Sequence, residues 1–220
     1  MAIFATVVAF PTVASYTLGR AFWHGRSLQI AWLESHSVND AIDTDRLRLR
    51  PFISDDVKFA FDWFGDPLVM RFTPSGPDRS MEQTAARIAN YKRHQAEHGF
   101  SKWIIIERDS GRPIGDAGLL LLAEYGWIDF GYRLAQPFWG KGLATEAASA
   151  WVQKAFGELK LDRLAAIVHP ENYASIRVLQ KLGFLEERRD VIMGMSSIVC
   201  GLTPDTARNP IPHDWRSPLI

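Results

Sequence analysis

DFGYRLAQPFWGKGLATEA, residues 129 to 147, runs from a strand-like stretch through two glycines around a lysine into an alanine-rich helical run. Leu164 to Val168 is the next short apolar run. Residues 127 to 168 therefore read as strand, loop, helix, strand, a unit whose crossover is right-handed and whose two strands lie parallel. Gly140 and Gly142 strip side chains from the backbone just ahead of the helix, where free N–H groups and the helix dipole suit an anion, most simply a phosphate. An ordinary glycine turn opening a helix fits the same residues, and the loop alone leaves both readings open. Two nucleotide motifs fail. A P-loop needs Ser or Thr after its lysine, and position 142 is glycine. A dinucleotide fingerprint needs Gly or Ala at 145, which is Thr145, and Asp162 precedes a strand instead of ending one.

Working outward, Arg46 to Phe52 alternates charged and apolar residues, the period of a half-buried strand. Ser54-Asp55-Asp56 offers an N-cap and acidic first turn to a short helix ending near Gly65-Asp66-Pro67. Met81 to His98 reads as a helix stopped by Gly99. Trp103–Ile106 and Pro113–Leu122 form a hairpin across Asp109–Arg112, and Trp127–Leu134 is a third strand. In the helix from Gly142 to Phe156, Leu143, Ala147, Trp151 and Ala155 recur every four residues and line one face. Tyr173 to Leu182 is a further helix stopped by Gly183, and two strands fill Glu186 to Leu202. A mixed sheet flanked by helices follows.

The chain has 220 residues, 47% hydrophobic, enough for one sizeable core. Twenty-five basic residues balance twenty-five acidic ones, so no global field collects nucleic acid or an anionic membrane. A single cysteine, Cys200, excludes an internal disulfide and a multi-cysteine zinc site, fits a reducing compartment, and reads as a buried inert thiol. The apolar run FATVVAFPTVASYTLG at 4 to 19 lacks a basic leader, and Pro11 interrupts it short of a spanning helix. Residues 1–43 are expected to be a poorly ordered extension or a misplaced start, and residues 204–220, with Pro210, Pro212 and Pro218, an irregular tail.

Four stretches in order carry a family likeness: TDRLRLRPF (44–52), IGDAGL (114–119), DFGYRLAQPFWGKGLATEA (129–147) and ENYASIRVLQKLGF (171–184). Residues 44–203 resemble the GCN5-related N-acetyltransferases, or GNAT fold, closest to the RimJ/RimL-type branch that acetylates ribosomal-protein alanines. The fold so implied is a mixed α/β sheet with mostly antiparallel N-terminal strands and one parallel strand–helix–strand unit that splays to hold acetyl-CoA.

The resemblance implies a use for each part. The Gly131, Tyr132, Arg133 and Leu134 backbone pairs with the pantetheine arm, and the pyrophosphate rests on N–H groups of Trp139, Gly140, Lys141, Gly142, Leu143 and Ala144. Lys141 either adds charge there or stays solvated. Asn172 and Ser175 stand where relatives contact the cofactor, although a helix cap explains Asn172 as well. Trp139 replaces the Gln or Arg usual in the wider family and is common in the Rim-like branch. Leu179 occupies the position of a tyrosine that protonates the departing thiolate in many relatives, which leaves solvent or Tyr173 for that task. Candidates for the general base are Asp129, His169 and Glu171, all near the ends of the splaying strands, with Asp129 first and a water-relayed proton as alternative. The implied reaction moves acetyl from acetyl-CoA, with no metal, to a small amine or a protein N-terminus. The implied protein is cytoplasmic, a monomer or homodimer, and meets neither nucleic acid nor membrane. A silent GNAT-fold module is the rival reading, and a nucleic-acid binder using Arg46, Arg48 and Arg50 is a weaker one.

Overall fold

In the computed structural model the described residues are 41–208. They form one eight-stranded sheet. In chain order its strands are β1 (Ile42–Asp43), β2 (Leu47–Pro51), β3 (Lys102–Glu107), β4 (Pro113–Leu122), β5 (Trp127–Leu134), β6 (Leu164–Val168), β7 (Leu185–Ile192) and β8 (Met195–Leu202). Across the sheet the order is β1-β2-β3-β4-β5-β6-β8-β7. Every neighbouring pair is antiparallel except β5 and β6. The parallel pair expected between 127 and 168 is therefore present. The last hairpin turns back on itself, so that β8 and not β7 lies beside β6.

The helices are α1 (Val57–Phe64), α2 (Met81–His98), α3 (Leu143–Gln153), α4 (Tyr173–Leu182) and α5 (Pro204–Arg208). The four-residue stripe of α3 is buried throughout, with Leu143, Ala147, Trp151 and Ala155 all at 3% exposure or less. Trp151 meets Trp103 of β3 edge-on at 4.9 Å, which locks α3 to the sheet. Helix α3 stops before Phe156. Lys154–Glu158 widens into a π turn, closed by Leu159 N–H on the Lys154 carbonyl at 2.9 Å.

Two ends differ from expectation. Ile42 and Asp43 pair with Leu49 and Arg48, so the sheet begins before residue 44. The chain is also not yet irregular at Pro204. Proline suits a first helical position, having no N–H to satisfy, and Thr203 and Thr206 exchange backbone-to-hydroxyl bonds at 3.0 and 3.4 Å around the start of α5. The remainder of both terminal segments lies outside the described residues. Arg46, Arg48 and Arg50 are not a free basic edge: they pair with Glu146, Asp43 and Asp56.

Candidate active site

β5 and β6 are bridged at one residue pair, Asp129 with Ala165, whereas β5 stays paired to β4 over its whole length to Leu134. Past Asp129 the two parallel strands part, and the sheet opens as a fork. A cleft of about 1050 Å³ is lined by Asp129–Arg133 on one prong and Ala166–His169 on the other. Helix α2 closes it with Arg87, Tyr91 and His94, and the β7–β8 hairpin contributes Met193 and Met195.

Asp129 sits at the crotch of the fork, and its Oδ1 is shielded from solvent and finds no partner among the described residues. Burial pushes its carboxyl up to about 6, against the pull of Lys102, then Arg133, then the Ile167 N–H. Arg133 is not its direct partner. It holds Asp116 at 2.7 Å, and Asp116 also accepts the Trp63 indole N–H at 3.1 Å. Burial works against the Arg133 charge, but Asp116 outweighs it and the guanidinium stays firmly protonated.

The near cation is Lys102, 3% exposed, whose Nζ donates to the Gly118 carbonyl at 2.7 Å and the Gly131 carbonyl at 3.0 Å. Burial lowers its pKa to about 8. His94 is held neutral by burial. Its Nδ1 faces the Phe100 carbonyl at 2.7 Å while its Nε2 accepts Leu121 N–H at 2.9 Å.

The glycine loop lies beyond the C-terminal end of β5, outside the cleft wall. Gly140 and Gly142 have φ of +74° and +79°. A Cβ at Gly140 would meet nothing within 4 Å, and one at Gly142 only an Arg46 nitrogen at 3.6 Å. The glycines thus leave open space above the backbone instead of relieving a contact inside the protein. Among the described residues, the N–H groups of Gly140 to Ala144 find no acceptor, and the first helical bond is Glu146 N–H to the Gly142 carbonyl. Trp139 behaves otherwise than expected. Its N–H goes to Gln136, and its indole covers the Leu134 carbonyl at 2.7 Å, so neither group is free for a ligand. Glu146 fixes the loop by accepting from the Thr44 hydroxyl, the Arg46 N–H and the Arg46 guanidinium, which also donates to the Lys141 carbonyl.

The remaining candidates separate. Asn172 caps α4, accepting Ser175 N–H at 3.2 Å, and the Ser175 hydroxyl meets the Tyr132 hydroxyl at 3.2 Å. Both residues nevertheless line the cleft, as does Leu179. His169 lines it too, stacked on Phe72 at 4.8 Å with Nδ1 accepting Glu171 N–H. Glu171 is exposed and faces Arg71 at 3.7 Å. Tyr173, the first residue of α4, is 63% exposed and stands outside the cleft wall.

Residues 46–185 match the family described as "Acetyltransferase (GNAT) domain". The chain belongs to this family. The GNAT domain makes it an acyltransferase, and the family generally uses acetyl-CoA as co-substrate. The uncharacterized N-acetyltransferase YoaA of Bacillus subtilis is 33% identical over 66% of this chain and 83% of its own length. The spermidine N(1)-acetyltransferase of Escherichia coli K12 is 28% identical over 64% of this chain and 74% of its own. A GNAT-family acetyltransferase structure from Bacillus anthracis superposes with a TM-score of 0.66 at 23% identity, covering 75% of this chain and 99% of that one.

Reading the sequence missed two residues that line this GNAT cleft, Lys102 and Arg87, and the buried Asp116 that holds Arg133 behind it. Lys102 carried a signal, a lone lysine opening the apolar run Trp103–Ile106. Nothing local marks Asp116, whose partners Trp63 and Arg133 are 53 and 17 residues distant in sequence.

Proposed function

We propose that this GNAT acetyltransferase moves an acetyl group from acetyl-CoA to a primary amine, by direct attack with both substrates bound. The observation that carries this reading is the fork, with the unpaired N–H row of the glycine loop beyond one end and the buried Asp129 carboxyl at its crotch. The residues fit the co-substrate: the open space over Gly140 and Gly142 and the unengaged N–H groups from Gly140 to Ala144 suit a pyrophosphate. Lys141 adds a positive charge at the same place. The free edge of β5 between Gly131 and Arg133 suits the pantetheine amides, with Ser175 and Asn172 on the facing helix.

Acetyl-CoA supplies the thioester carbonyl that the amine attacks. The amine arrives protonated, and Asp129 takes that proton, because a carboxyl near pKa 6 is ionised at neutral pH yet more basic than an ordinary aspartate. His169, whose Nε2 has no hydrogen-bond partner among the described residues while Nδ1 is engaged, is the second choice for that role. The developing oxyanion meets a backbone N–H between residues 131 and 134, since Ala135 N–H already goes to Ile114. The thiolate takes its proton from solvent, Leu179 offering none and Tyr173 standing outside.

The acceptor is a small amine or a protein N-terminus. The E. coli relative named for spermidine favours the first, and the tryptophan at 139, shared with RimJ/RimL-type enzymes, favours the second. We place the activity in the cytoplasm, in keeping with one buried cysteine; among the described residues no helix is long and apolar enough to cross a membrane. A thiol-release assay over polyamines, amino acids, aminoglycosides and N-terminal peptides tests the reading. Turnover with one class supports it. Acetyl-CoA binding with no thiol release from any amine would make the chain a silent module.

A further inference from the structure

Lys102, Gly118 and Gly131 stand in one row across three strands. Lys102 of β3 pairs in register with Gly118 of β4, which pairs with Gly131 of β5. Gly118 lets β4 approach the Ser101 and Lys102 backbone, where a Cβ would lie 2.1 Å from the Ser101 carbonyl, and the side chain missing at Gly131 leaves the space that the lysine tip fills. The fit is close: a Cβ on Gly131 would stand 2.9 Å from the Lys102 nitrogen. The same point is 3.8 Å from Asp129 Oδ2, so the ammonium and the carboxylate border one small space at the crotch of the fork. A fully buried lysine needs compensation, and two carbonyls alone do not neutralise its charge.

We propose that Lys102 is a positioning residue of the active site: with its tip in the space left by Gly131, its ammonium holds the Gly118 and Gly131 carbonyls and supplies the counter-charge to Asp129. The role deepens the reading of Asp129 as proton acceptor and rests on it for its catalytic meaning. Other groups around Asp129 are otherwise engaged. Arg133 on β5 is paired to Asp116 of β4, Arg87 of α2 to Asp78, and His94 of α2 is neutral. Cys200 of β8 is a buried thiol whose pKa burial raises. Among the described residues, Lys102 is thus the one cation near Asp129 that has carbonyls instead of a carboxylate for direct partners.

The sign of the effect follows. Taking away the neighbouring positive charge makes Asp129 harder to ionise, so its titration moves to higher pH. Lys102→Met removes the charge and keeps the apolar stem. Gly131→Ala keeps the lysine but pushes its tip out of that space; only that flexible end collides, so the fold survives. The measurement is a carbon-13 titration of the Asp129 carboxyl, assigned by its loss in Asp129→Asn, which needs no acceptor. Both variants should raise the midpoint, Lys102→Met by about one pH unit or more. An unchanged midpoint in the folded variants overturns the proposal, and if Lys102→Met does not fold, Gly131→Ala decides alone. Wild-type turnover in Asp129→Asn would instead sink the general-base reading while leaving the titration result standing.

Discussion

A carboxyl group held near pKa 6 ties activity and stability to pH in opposite senses. On the proposed mechanism ionised Asp129 is the active form, so kcat/KM should fall below about pH 6 with a single-proton limb. Asp129→Asn is nearly isosteric. It should leave acetyl-CoA affinity unchanged and lower kcat by about a hundredfold or more, removing that limb from whatever turnover remains. For stability, the folded-state pKa lies above that of the unfolded chain, near 3.9. The folded protein therefore holds the extra proton between those values, and the stability this confers is present below about pH 4 and lost as pH rises through 6. The melting temperature of Asp129→Asn, relative to wild type, should accordingly climb between pH 4 and pH 7; a flat difference would place the carboxyl in water. At this scale the sequence was partly legible. Asp129 stood out by its place in the strand, but Lys102 could not be tied to it, because their closeness depends on β3, β4 and β5 lying in register.

Loops and caps give sharper tests at the level of the element. Gly142→Val would force a branched residue to φ +79°, at a cost of about 1–2 kcal/mol, into space that the protein itself leaves open. The variant should fold and lose most coenzyme A affinity by calorimetry; unchanged affinity would reduce the loop to a turn. Gly183 is a different case. It ends α4 at φ +89°, and a Cβ there would lie 2.2 Å from the Thr206 carbonyl in α5. Gly183→Ala should therefore lower stability by more than about 2 kcal/mol in denaturant titration without touching the site. Helix boundaries were readable because they depend on local chemistry: Gly99 and Gly183 both take the left-handed cap expected of them. The π turn at Lys154–Glu158 was not, since no capping or turn residue in the sequence signals a widened turn.

For the whole molecule, strand identity was evident in the sequence, whereas strand order needed the family likeness or the coordinates: alternation reveals a strand's faces but not its neighbours. The sheet begins at Ile42, so a chain starting at Asp40 should keep its melting temperature and its acetyl-CoA binding, and a large loss of either would put residues 1–39 into the working protein. The fork has one more consequence. A sheet ordinarily carries its unpaired backbone at its outer rims, where a strand of another molecule can add on and begin an aggregate. Here part of that hydrogen-bonding hunger is moved inward, to the fifth strand of eight, where the fork admits a slender ligand but hardly a second chain. The protein can keep a ready backbone for recognition without advertising it to other copies of itself.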